Sequence, residues 1–193
     1  MRQTLLPLLT LGILTAPALA QTNHGGMNHG TPGAAAQPAM TADLGALRGL
    51  SGQAFDRAFL SMMIPHHQAA VAMSRAVLGT KGPQVRAWAT AIIKDQNREI
   101  AQMNTLLRGY GGADRRMQAT MKGMMGDMAG GVKNAGNQDR AFVQGMTLHH
   151  ASAIDMAALA LQKSRNPAVL KLARDIVRAQ AQEMYEFQTS SLR

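Results

Sequence analysis

The sequence predicts an all-α protein, a four-helix bundle made of two repeated helical hairpins. Apolar residues recur in steps of three and four along four long stretches, and no alternating run reads as a strand. One stretch occurs twice, as A-F-L-S-M-M-I-P-H-H-Q-A-A-V-A-M from Ala58 to Met73 and as A-F-V-Q-G-M-T-L-H-H-A-S-A-I-D-M from Ala141 to Met156. At an offset of 83, Phe59 matches Phe142, Met63 matches Met146, His66 and His67 match His149 and His150, and Met73 matches Met156. The stretch after each copy repeats as well. Val85, Trp88, Ile92, Gln96, Glu99 and Met103 stand against Val169, Leu172, Ile176, Gln180, Glu183 and Phe187, at an offset of 84, and Leu106 extends the first stripe by one step. The extra residue falls in the turns. Two long hairpins with short connections hide such stripes by packing as a bundle with an approximate two-fold axis.

Residues 1–20 read as a secretory signal peptide, with Arg2 as the basic start, Leu5 to Ile13 as the apolar run and Ala18-Leu19-Ala20 as the cleavage site. The apolar run is short and interrupted by Pro7, which argues against a membrane span. Residues 21–50 are rich in Gly, Pro, Ala and Thr without periodicity, the composition of a flexible leader. The first hairpin covers 51–108, with Gly79 to Gly82 as its turn and Pro83 opening its second helix. A methionine-rich linker covers 109–138, beginning at Gly109, Gly111 and Gly112 and holding a short segment from Met117 to Met128. The second hairpin covers 139–190, with Asn166-Pro167 as N-cap and first helical position of its second helix.

Composition narrows the chemistry. There is no cysteine, so disulfides and thiolate metal sites are excluded, while 15 methionines supply soft thioether. Without Arg2 the balance is 19 basic against 11 acidic residues. The basic residues are scattered along helices, and with an export signal this reads as a solvated surface, with no nucleic-acid partner and no stable membrane insertion.

The repeated helices carry the candidate metal ligands. Met62-His66, Met63-His67 and Met146-His150 are i,i+4 pairs, the spacing at which two side chains share one ligand. Met73, His149 and Met156 complete the set. Neighbouring histidines diverge by about 100°, so one of each pair faces the bundle axis and the other a partner helix or the rim. Pro65 leaves the Ser61 carbonyl without its helical partner and predicts a bend, whereas Leu148 holds the equivalent place in the second copy. Counting from the turns puts Gln96 level with His66, Glu99 near Met62 and Met63, Gln180 level with His149, and Glu183 level with Met146. Buried carboxylates need a partner. Glu99, Glu183, Gln96 and Gln180 are therefore read as supporting and register groups around the ligands. The competing reading makes the whole layer a hydrogen-bonded register device with methionine as gap-filler.

Two further segments add soft ligands. His24, Met27 and His29 cluster just after the cleavage site. His24 would be fourth from Gln21, which excludes the amino-terminal copper motif that needs histidine third. Met117, Met121, Met124 and Met128, with Met125 beside them, form a stripe at helical spacing. It suits Cu(I) or Ag(I), or else an amphipathic lid over one end of the core.

From Phe55 to the end the sequence resembles the family called domain of unknown function 305. The resemblance rests on Met63-Ile64-Pro65-His66-His67 through Met73 and on Gln96, Glu99, Ile100 and Met103, with half-matches at Met146 to Met156 and Gln180 to Met184. It implies a ferritin-like bundle, usually exported, with some members linked to periplasmic copper or silver binding. The resulting expectation is an exported, periplasmic or extracellular protein. It binds Cu(I), with Ag(I) or Cu(II) as further cargo, for sequestration, tolerance or delivery to a copper efflux or delivery protein. No organic cofactor and no catalytic turnover are expected. A ferritin-like di-metal oxidase would need Glu-x-x-His pairs, and the sequence has none. A metal-free helical envelope or interaction module is the other alternative.

Overall fold

The computed structural model describes residues 42–192. The proposed signal peptide and the leader residues His24, Met27 and His29 lie outside the described residues. Within them the protein is all-α: α1 (Ala42–Arg48), α2 (Gly52–Ala76), α3 (Pro83–Gly109), α4 (Arg115–Met125), α5 (Met128–Lys133), α6 (Gln138–Lys163) and α7 (Pro167–Thr189). The long helices α2, α3, α6 and α7 form the ferritin-like four-helix bundle. α2 pairs with α3 and α6 with α7 as two hairpins, and α2 packs against α6 between them.

The helix starts follow the capping chemistry. Pro83 and Pro167 occupy the first turns of α3 and α7, where a missing N–H costs nothing. Asn166 Oδ1 accepts from Ala168 N at 2.9 Å, and Asn137 Oδ1 accepts from Arg140 N at 3.0 Å. α2 runs through Pro65 without interruption. One turn earlier, the Ser61 hydroxyl donates to Arg57 O at 2.7 Å and accepts from Asp114 N at 2.8 Å, tying α2 to the start of α4.

Two elements differ from the sequence expectation. α1 falls inside the segment read as leader, because Leu44, Leu47 and Leu50 make a stripe too short to register as a period, yet Leu47 is wholly buried. Part of the segment read as linker is the short helix α5, capped by Asp127 and anchored by buried Val132.

The core lies in two apolar clusters. One takes Phe55 to Ile64 of α2, Met103 and Leu107 of α3, Ala153 to Ala160 of α6 and Val169 to Ile176 of α7, with Leu47, Met121 and Met125. The other takes Ala70 to Val77, Val85 to Ile92, Phe142 to Met146 and Phe187, with Val132. α2 and α6 therefore run antiparallel, and the two-fold relation exchanges the two ends of the bundle. Aromatic rings pin the second cluster. Phe187 meets Trp88 edge-on at 5.0 Å and Phe142 at 6.3 Å, and Trp88 Nε1 donates to Glu186 Oε2 at 2.8 Å.

Candidate metal centre

Between the two apolar clusters lies a polar layer built from the middle turns of all four long helices. His66, His67, His149 and His150 have no exposed surface, and Gln96, Glu99 and Gln180 are buried beside them. The first histidine of each pair faces the other hairpin. The rings of His66 and His149 approach to 3.8 Å between centroids, with planes 40° apart. His66 Nε2 lies 3.0 Å from Ser152 Oγ, and His149 Nε2 donates to the His66 carbonyl at 2.9 Å. The second histidine of each pair faces its own hairpin's glutamate: His67 Nε2 is 2.8 Å from Glu99 Oε2, and His150 Nε2 is 2.6 Å from Glu183 Oε2. Two-fold logic thus governs both contacts. The close His150 approach lacks hydrogen-bond alignment, so its Nε2 remains without a hydrogen-bond partner.

These contacts fix protons. A carbonyl only accepts, so His149 carries its hydrogen on Nε2 and keeps a lone pair on Nδ1. With Glu99 as acceptor, His67 likewise donates from Nε2. The Nδ1 atoms of all four histidines are buried without a hydrogen-bond partner. Burial, reinforced by the other imidazoles, holds His66 and His149 well below the usual histidine range. Burial and the neighbouring His67 push His150 down to about 3. His66, His149 and His150 are therefore neutral at physiological pH, the form in which imidazole binds a metal. Burial and the charges of Asp95, Glu99 and Glu186 push Glu183 up to about 7.

The candidate methionines split by end of the bundle. Met62 and Met63 share the first cluster with Met156, whereas Met73 shares the second with Met146; all five are buried. Each end therefore draws its thioethers from both hairpins. Met62 has no repeat partner because Gly145 holds that place, and the Met73 Sδ fits there, 3.7 Å from where a Cβ on Gly145 would lie. Met121 and Met125 are buried in the first cluster, with Met117 and Met124 packed against it, while half-buried Met128 touches both clusters. Among the described residues, no three His, Asp or Glu side chains gather into a set able to hold a metal ion. Ser152 and the His66 carbonyl, both contacts of the layer, escaped sequence reading: Ser152 stands where the first repeat has Ala69, and a main-chain acceptor leaves no residue-type signal.

Known proteins share this architecture. Structures of CopM in Cu(I)-bound, Cu(II)-bound, silver-bound and apo forms are 30 to 32% identical, with TM-scores of 0.58 to 0.61, matching 69% of this chain and 92 or 93% of theirs. A crystallised DUF305 fragment from Deinococcus radiodurans is 26% identical at a TM-score of 0.60, covering 69% of this chain and 92% of that one. The uncharacterised protein L153 of Acanthamoeba polyphaga mimivirus is 45% identical over 58 residues, 28% of this chain, and the match spans only 38% of that protein. The profile described as Domain of unknown function (DUF305) matches twice, at residues 9–107 and 108–191, one copy per hairpin. Carrying the signature in tandem along nearly its whole length, the chain belongs to the family of domain of unknown function 305.

Proposed function

We propose that this protein is an exported binder of Cu(I), and of Ag(I) by the same chemistry, which holds the ion as cargo and performs no turnover. The observation that carries the reading is the close, tilted His66–His149 pair, buried, neutral and with unpartnered Nδ1 atoms, set between two methionine-lined cores. Imidazole and thioether without thiolate is a donor set for a soft monovalent ion. No all-imidazole or carboxylate cage is assembled among the described residues. Bound metal would therefore take sulfur as well as nitrogen, with Met62, Met63 and Met156 at one end and Met73 and Met146 at the other. The metal-bound forms of CopM, on a similar fold, support this reading. Export rests on the amino-terminal pattern; no helix among the described residues is long and apolar enough to cross a membrane.

A second reading has its own observation. The His67–Glu99 hydrogen bond at 2.8 Å and the His149 bond to the His66 carbonyl tie helices together through part of the layer, as a register device would. Titration of the mature protein with Cu(I) under reducing conditions, against a weak chromophoric chelator, separates the two. Transfer of the ion to the protein is expected. Failure to compete would leave only the register role.

A further inference from the structure

The four histidines have no exposed surface, and neither do Met62 and Met63, so an ion reaches them only if part of the protein moves aside. Around α2, the neighbours α3 and α6 are long helices anchored in both apolar clusters. The other neighbours are short: α4 has 11 residues and contributes to the first cluster only, α5 has six and contributes Val132 to the second, and α1 touches α2 less. Of these, α4 carries the face of several methionines. We propose that α4 is a hinged, methionine-faced gate through which Cu(I) or Ag(I) passes to and from the buried layer. The inference rests on the metal-binding reading above and adds a route and a moving part.

Four features converge on it. Glycines with positive φ bracket the helix: Gly111 at 77° and Gly112 at 96° before it, and Gly126 at 52° after it, positions at which L side chains are disfavoured. The latch is small and polar. Arg57 Nε donates to Gly112 O at 2.8 Å, its Nη2 donates to Ala113 O at 3.1 Å, and Ser61 Oγ accepts from Asp114 N. Water can replace these bonds when the helix lifts. The inner face carries Met117, Met121, Met124 and Met125 in or against the first cluster, and beyond Gly126 the first residue of α5, Met128, touches both clusters. A soft ion moves along it by exchanging one sulfur ligand for the next, with no change of oxidation state and no proton released. Finally, the cover is one-sided. Ser61 and Pro65 of α2 are buried, whereas their repeat partners on α6, Gln144 and Leu148, are exposed.

The test uses the full mature chain and Cu(I) supplied from a weak chromophoric chelator. In metal-free protein, amides of α4 should exchange with solvent at least about tenfold faster than those of α3 and α7. Arg57→Ala should speed both capture and release of Cu(I) by about threefold or more while the dissociation constant stays unchanged. Trp88→Phe, which loosens the far end by removing the bond to Glu186, should leave both rates alone. Normal equilibrium uptake with unchanged rates in Arg57→Ala, or rates raised equally by Trp88→Phe, would overturn the gate and leave the binding reading standing. Amides of α4 as protected as those of α3 would do the same. No uptake by the unaltered protein at equilibrium would sink the binding reading itself, and the gate with it.

Discussion

His66 and His149 come from different hairpins and their rings lie 3.8 Å apart between centroids, so a ligand that engages one ring perturbs the other. His66→Ala and His149→Ala should each remove most of the tight Cu(I) binding, with a double-mutant cycle showing strong non-additivity. Two independent half-losses would instead mean one complete site per hairpin. Glu99 holds His67 rather than a metal in this geometry. Glu99→Gln should lower the melting temperature of the metal-free protein and change Cu(I) affinity by less than tenfold, about 1.4 kcal/mol; a larger loss with unchanged melting would make Glu99 a ligand. The metal-free protein should also lose stability in mild acid. His66, His149 and His150 have folded pKa values depressed by burial, so below about 6.5 the unfolded chain takes up three protons that the folded layer refuses. Glu183, raised to about 7, works the other way: between about 7 and 4.5 it is the folded state that holds the extra proton. Two protons net, at about 1.4 kcal/mol per pH unit each, set the limiting slope of falling stability between roughly pH 6 and pH 5. Denaturant midpoints that stay flat across that window would show charged or solvated histidines.

At the level of the elements, α4 depends on its methionine face and on one cap. Asp114 Oδ1 accepts from both Arg116 N and Met117 N, and Asp114→Ala should cost about 1 kcal/mol, read from the denaturant midpoint. Met121→Ala removes a fully buried side chain and should cost more, about 2–5 kcal/mol, whereas truncating half-buried Met117 should cost less. The long helices were legible because their stripes persist over many turns: every apolar position read in α7, from Val169 to Phe187, is buried. The α3 stripe differs only in its last step, where Leu107 rather than Leu106 is fully buried. α1 and α5 were missed because one or two turns hold too few residues to show a period. Polar positions within the stripes marked the central layer correctly. Their pairing was less visible: counting from the turn placed Gln96 beside His66, yet the contact made is His67 with Glu99, one turn along. Helix rotation decides that choice, and rotation is set by packing across hairpins, which no single hairpin's sequence displays.

For the molecule as a whole, a metal that binds only the folded bundle raises stability by mass action, about 2.7 kcal/mol at a free concentration one hundred times its dissociation constant. Thermal melts with Cu(I) or Ag(I) should therefore rise with added metal, and those with Mg²⁺ or Ca²⁺ should not, since the layer offers no oxygen cage. An unmoved melting temperature with Cu(I) would count against binding at any of these side chains. The division of the core also bears on how the chain reaches this state. Each apolar cluster takes one half of α2, of α3, of α6 and of α7, so neither hairpin owns a complete core despite the tandem repeat. A hairpin made alone has half of two interiors and should stay a fluctuating coil. The duplicated chain should then melt in one step, its calorimetric enthalpy matching the van't Hoff value. Cooperativity of that kind makes the two halves mutually obligate: neither copy of the ancestral-looking unit can drift or be lost without taking the other's interior with it.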